Sequence, residues 1–163
     1  MSAFLYTLGL HTGYTTDEVL EELCRLLGVP QIEEVGNYWP ALEIQMVDSI
    51  HPCSREIFTE TLGTVPTTVI NYYLDIKTDL EQGDRAHIVM AVSAVKLVCD
   101  MNALAFMMYE RDKIIMRRTN GLLYLYEQTG RWRDPEIVAQ LPEPWILTDD
   151  IDAGIPEGAI PFR

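Results

Sequence analysis

The sequence predicts an α+β fold: a mostly antiparallel sheet of about five to seven strands, two main helices of which one is long and buried, and a short third helix. Three observations carry this. Asn120-Gly121 separates two strand-like runs, Lys113–Thr119 and Leu122–Glu127. Asn-Gly at that place is a strong hairpin signal, because a type I′ turn needs positive φ at both central residues. Thr15-Thr16-Asp17-Glu18 has the form of a capping box and precedes an apolar stripe at helical spacing, Val19, Leu20, Leu23, Leu26 and Leu27. Between Ile88 and Cys99 the chain is apolar around much more than one stripe, the mark of a helix with little left for solvent.

The elements follow in order. Phe4, Tyr6, Leu8 and Leu10 share one parity and predict a first strand over Phe4–Leu10, followed by turn material at His11-Thr12-Gly13. The capped helix stops at Gly28 and Pro30, with Glu18, Glu21 and Glu22 on its solvated face. Gln31–Pro40 reads as a loop, and Leu42, Ile44 and Met46 alternate as a half-buried strand. His51-Pro52-Cys53-Ser54 reads as a turn, Glu56–Thr61 as a short strand, and Thr67–Lys77 as a strand rich in Thr, Val, Ile and Tyr. Asp84 is placed as the cap of the long helix, which ends at Asp100-Met101-Asn102. Ala103–Glu110 then joins the hairpin through an Arg111-Asp112 turn, and Asp134-Pro135-Glu136 opens the third helix, which Pro142 ends. Residues 1–145 read as a single α+β domain. Residues 146–163 read as an extended tail, rich in proline and acid, pinned to the body by Trp145 and Ile146.

At 163 residues the chain has the size of one domain, and 48% apolar with 23% charged residues is ordinary for a globular protein. Cys24, Cys53 and Cys99 are odd in number and far apart, which predicts free thiols and a reducing, cytoplasmic compartment. No apolar run approaches the roughly 20 residues a membrane helix needs, and Ala3–Leu10 lacks the basic flank of a signal peptide. No membrane partner is expected. The net charge of −13 argues against a nucleic-acid partner. The acidity lies in the first half: residues 1–82 carry 13 acids and three bases, whereas residues 83–163 carry 12 and nine. Such a surface keeps a protein soluble, and it also steers a basic partner.

Chemistry-bearing constellations are weak. His11, His51 and His87 have no histidine at i+3 or i+4, so no helical metal pair is expected, and no cofactor. Cys53 is the one cysteine in a turn, with nothing like an oxyanion loop beside it. Ser49, Ser54 and Ser93 lie in no nucleophile elbow. Asp149-Asp150-Ile151-Asp152 lacks the alternate spacing and distal Glu of a calcium loop. The cluster Arg111, Lys113, Arg117, Arg118, Arg131 and Arg133 reads as charge balance for the acidic half, with Arg117 and Arg118 pointing to opposite faces of one strand. No catalytic residue is expected, and the chain reads as not an enzyme.

The order of elements, carried by Tyr6–Leu10 with Thr15–Gly28, by Ala86–Met90 through Asp100–Leu104, by Ile115–Leu122 and by Trp132 to Leu141-Pro142, resembles the bacterial polymorphic-toxin immunity proteins of the myxobacterial swarm-inhibition (Sit) type. The resemblance implies a cytoplasmic binding protein that neutralises a cognate, basic toxin by occlusion. Glu18, Glu21, Glu22, Glu33 and Glu34 would pair with toxin Lys and Arg, and Tyr38 and Trp39 would supply the aromatic centre of the interface. Two other readings stay open. One is a small enzyme or ligand-binding domain with a pocket between the sheet and the long helix. The other is a homo-oligomer formed through the edge of the hairpin sheet.

Overall fold

At the Asn120-Gly121 turn both residues are left-handed, with φ of 53° and 77°, so β6 (Lys113–Thr119) and β7 (Leu122–Tyr126) pair as a tight antiparallel hairpin. The computed structural model describes residues 3–29, 35–39, 42–47, 51–75, 80–110 and 112–160. The remaining strands are β1 (Ala3–His11), β2 (Val35–Trp39), β3 (Leu42–Met46), β4 (Thr68–Asp75), β5 (Leu104–Tyr109) and β8 (Trp145–Thr148). All eight form one sheet in the order β2-β3-β4-β1-β5-β6-β7-β8. Every pairing is antiparallel except β7 with β8. The fold is α+β, as the sequence predicts, and β1 sits at its centre between β4 and β5.

The helices are α1 (Thr16–Leu27), α2 (Pro52–Leu62), α3 (Leu80–Asp100) and α4 (Pro135–Val138). Side chains alternate across a sheet, and here the alternation separates two cores. Tyr6, Leu8 and Leu10 of β1, Ile44 of β3, Ile70 and Tyr72 of β4 and Met107 of β5 join the apolar sides of α1, α3 and α4 in the main core. α3 is buried at Ala86, Met90, Val92, Ala94, Val95, Leu97 and Val98, which explains an apolar surface wider than one stripe. On the other face, α2 lies across β1 and β5, where Leu62 and the half-buried Phe58 meet Phe106 and Met108.

Three local readings are corrected. Glu56–Thr61 is not a strand and His51–Ser54 is not a turn: both belong to α2, capped by His51, with Pro52 in its first turn and Gly63 at φ 76° past its end, so there are three main helices where two are expected. Ile57, Thr59 and Thr61 alternate like a strand, but the apolar pair Phe58 and Leu62 has the i, i+4 spacing that seats a helix. Second, Asp84 does not cap the long helix, because α3 is already formed at Leu80. Third, the expected loop over 31–40 contains the edge strand β2, whose pairing with β3 carries a bulge between Asn37 and Trp39. At the opposite edge, Trp145 and Ile146 open β8, and the segment after it returns over the α2 side of the sheet. There Arg117, Thr119 and Tyr126 hold backbone carbonyls of residues 151–154.

Candidate functional site

α1 carries the carboxylates singled out in the sequence, and its geometry sorts them. Thr15 caps the helix by accepting from the Glu18 N–H at 3.2 Å, while the Glu18 carboxylate accepts from the Thr15 N–H at 3.0 Å. Glu22 is engaged by Arg25, which also reaches Asp100 at the end of α3 across 3.3 Å. The hydrogen bond from Arg25 holds the Glu22 carboxyl below its ordinary value. Asp100 is pushed the other way, first by burial and then by Glu22. Glu18 and Glu22 therefore already hold α1 in shape and in place. Asp17 and Glu21 are exposed and make no hydrogen bond or ion pair among the described residues. Glu33 and Glu34 lie outside the described residues, and Tyr38 and Trp39 are placed only as backbone positions of β2.

Several arginines are engaged within the molecule. Arg85 pairs with Glu136 at 2.9 Å, and Arg133 with Glu127 at 3.7 Å. Arg118 donates to the Ala103 carbonyl and the Asn102 side chain on the helix side of the sheet. Arg117, its neighbour on the strand, points to the other side and is 3% exposed. It donates to the Tyr126 hydroxyl and to the Ile151 carbonyl, and it lies over the Tyr126 ring. The opposite-face reading of this pair holds, but Arg117 meets carbonyl and hydroxyl oxygens where charge balance would have placed a carboxylate.

A second cluster sits where β1 and β5 meet α3 and α4. The Arg131 guanidinium lies 4.2 Å from the Tyr109 ring centroid and 5.4 Å from that of Tyr6. Tyr6 also packs against His87, with ring centroids 6.1 Å apart. Burial pushes the Tyr6 hydroxyl up to about 12. Burial, then Arg131, hold His87 below its ordinary value. Sequence reasoning placed His87 and Arg131 but not their meeting. Their separation along the chain leaves no short-range signal, and only the β1–β5 register brings Tyr6 opposite Tyr109.

His51 and Cys53 come together in the first turn of α2, where the imidazole Nδ1 accepts from the Cys53 N–H at 3.3 Å. The ring thus caps a helix and is turned to the Cys53 amide. Among the described residues no group of three or more His, Cys, Asp or Glu is arranged to hold a metal ion, and no helix is long and apolar enough to cross a membrane. Neither a protein-family model, nor a curated protein, nor a solved structure matches this chain.

Proposed function

We propose that this chain is a non-catalytic binding protein of the immunity type, which neutralises a cognate, basic bacterial toxin in the cytoplasm by covering it with an acidic surface. The observation that supports this reading is the unequal use of charge. Arg25, Arg85 and Arg133 are held in ion pairs at the surface, and Arg117, Arg118 and Arg131 by carbonyls or aromatic rings. Exposed carboxylates such as Asp17 and Glu21 are left facing solvent. Each ion pair uses an acid with its base, so the surface field follows the formal net charge of −13, and such a field raises the encounter rate with a basic partner. Among the acids named from the sequence, Glu21, Glu33 and Glu34 are proposed as contacts. Glu18 and Glu22 support α1, and Tyr38 and Trp39 are proposed as the aromatic centre on the β2 edge.

The test is co-expression with the product of the gene immediately upstream, with recovery of a stoichiometric complex and rescue of growth. In that complex Glu21→Lys, Glu33→Lys and Glu34→Lys together leave the capping box and the Glu22–Arg25 pair intact. They should slow association about tenfold at low salt and flatten its salt dependence. Unchanged association would remove this acidic surface from the mechanism, and no complex at all would remove the immunity reading. One observation favours a ligand-binding domain instead. The Tyr72 hydroxyl lies fully buried in the sheet layer under α3 with no hydrogen-bond partner among the described residues. A ligand held there would lose affinity in Tyr72→Phe, whereas toxin binding would not.

A further inference from the structure

We infer that residues 149–160 are an exchangeable ligand of their own domain: a peptide docked in cis on the β6–β7 face, which an extended segment of the same chemistry can replace in trans. The docking is built from side chains that read a peptide backbone. Arg117 Nη1 donates to the Ile151 carbonyl at 2.6 Å, the Tyr126 hydroxyl to the Ala153 carbonyl at 2.5 Å, and Thr119 Oγ1 to the Gly154 carbonyl at 2.6 Å. Three donors from two adjacent strands thus meet carbonyls within four consecutive residues. Secondary-structure ladders pair backbone with backbone, so this arrangement resembles recognition of a bound peptide more than continuation of a sheet.

The face is also selective. Gly154 is left-handed at φ 76°, and a Cβ there would overlap the Tyr124 ring. Farther on, the Ile160 N–H donates to the Glu60 carbonyl at 2.8 Å, and a Cβ on Gly63 would come within 2.8 Å of the Glu157 carbonyl oxygen. The segment is therefore seated at both ends, yet it contributes little apolar burial. Pro156 is buried, Ile151, Ala153 and Ile155 are half-buried, and Asp149, Asp150, Asp152, Glu157 and Ile160 are exposed. Attachment by hydrogen bonds with few buried apolar groups is the signature of an element that opens below the cost of global unfolding. Beneath it lies Arg117, whose Nε has no hydrogen-bond partner among the described residues. Vacating the face gives that buried guanidinium a reason to take up another acceptor-rich, acidic segment.

Gly154→Val in the full chain should lift the segment off while leaving the β6–β7 donors in place. The probe is a fluorescent peptide of residues 148–160, read by anisotropy. The wild-type chain, occupied in cis, should bind it at least tenfold more weakly than the Gly154→Val chain. Adding Arg117→Met to the Gly154→Val chain should abolish the gain, as should Gly154→Val in the peptide. A folded Gly154→Val chain that binds no better than wild type overturns the inference. So does a gain that survives Arg117→Met. Hydrogen exchange of the wild-type protein gives an independent reading that needs no variant to fold. The Ile160 amide should exchange at least tenfold faster than the Arg117 and Tyr124 amides, which face each other in the β6–β7 hairpin. Equal protection would mean that the segment opens only when the domain unfolds, and the inference fails.

Discussion

Adding one methyl group at Gly9 should unseat α2. Gly9 lies in β1, opposite Val69 on one side and Phe106 on the other. A Cβ there would stand 2.5 Å from Phe106 Cε1 and 2.6 Å from Cζ, whereas carbon atoms rest about 3.5–4.0 Å apart. The ring has to recede by roughly 1 Å. It has nowhere to go, because Phe106 is 1% exposed and packs against Phe58 of α2 at a centroid distance of 5.7 Å. Overpacking of this kind costs about 1–3 kcal/mol, offset by the ~0.5–1 kcal/mol that Ala gains over Gly within a strand. The net loss for Gly9→Ala is therefore about 0–2.5 kcal/mol, centred near 1, or a few degrees of Tm for a domain of this size. Urea unfolding of wild type, Gly9→Ala, Phe106→Leu and the double variant tests the cause. Removing the ring relieves the overlap, so the double variant should be more stable than the sum of single effects by about 1 kcal/mol or more. Additivity within about 0.5 kcal/mol would refute the argument.

The histidine at the edge of the main core gives a signed pH prediction. Burial, then Arg131, hold His87 below its ordinary 6.5, against the weaker upward pull of Asp134 and Asp84. The unfolded chain takes up that proton first, so the stability His87 contributes is full above about 6.5 and is lost as pH falls from there to the folded pKa. Between pH 7.5 and 5.5, wild type should lose more urea resistance than His87→Gln, and equal losses would dismiss His87 as the source. Thr15→Ala removes one half of the capping box at α1 and should cost about 1 kcal/mol in urea unfolding. Trp132, 1% exposed, donates its indole N–H to the Ile115 carbonyl at 2.7 Å. Trp132→Phe leaves that carbonyl without its donor and should cost about 2–3 kcal/mol, measured the same way; a loss under 1 kcal/mol would mean that water replaces the indole.

What the sequence shows depends on how far apart the interacting residues lie. The Asn120-Gly121 turn and the Thr15–Glu18 capping box are closed within a few residues, and both can be read from the chain alone. The long helix is legible because being covered on several sides leaves a direct mark on composition. α2 is misread because its β-branched residues alternate, and the Phe58–Leu62 contact that decides its state exists only once Phe106 is beside it. The edge strands β2 and β8 have few residues and one paired edge each, so pairing and not pattern defines them. The same distance problem governs the candidate site. Exposed acids are visible as a charge count, but the sorting of Glu18 and Glu22 into structural roles needs the cap and Arg25 in place. Arg117 reads as one member of a basic cluster until β6, β7 and residues 151–154 are folded together.

Of the two surfaces proposed for binding, α1 and residues 149–160 lie on opposite sides of the sheet, and this makes them separable by experiment. α1 packs with α3 on one side, and residues 149–160 cross the other, beside α2. Interactions between exposed charges fade over about one Debye length, ~8 Å at physiological salt. A sheet with a helix layer on one side and the segment on the other puts the Glu21 carboxylate well beyond that distance from Arg117. Glu21→Lys should therefore leave capture of the 148–160 peptide by the Gly154→Val chain unchanged within about twofold. Gly154→Val should likewise leave salt-dependent capture of a basic partner intact. If displacing the segment instead weakened that capture, the exposed Asp149, Asp150 and Asp152 would belong to the acidic surface. The partner would then span the β8 edge of the sheet, away from α1.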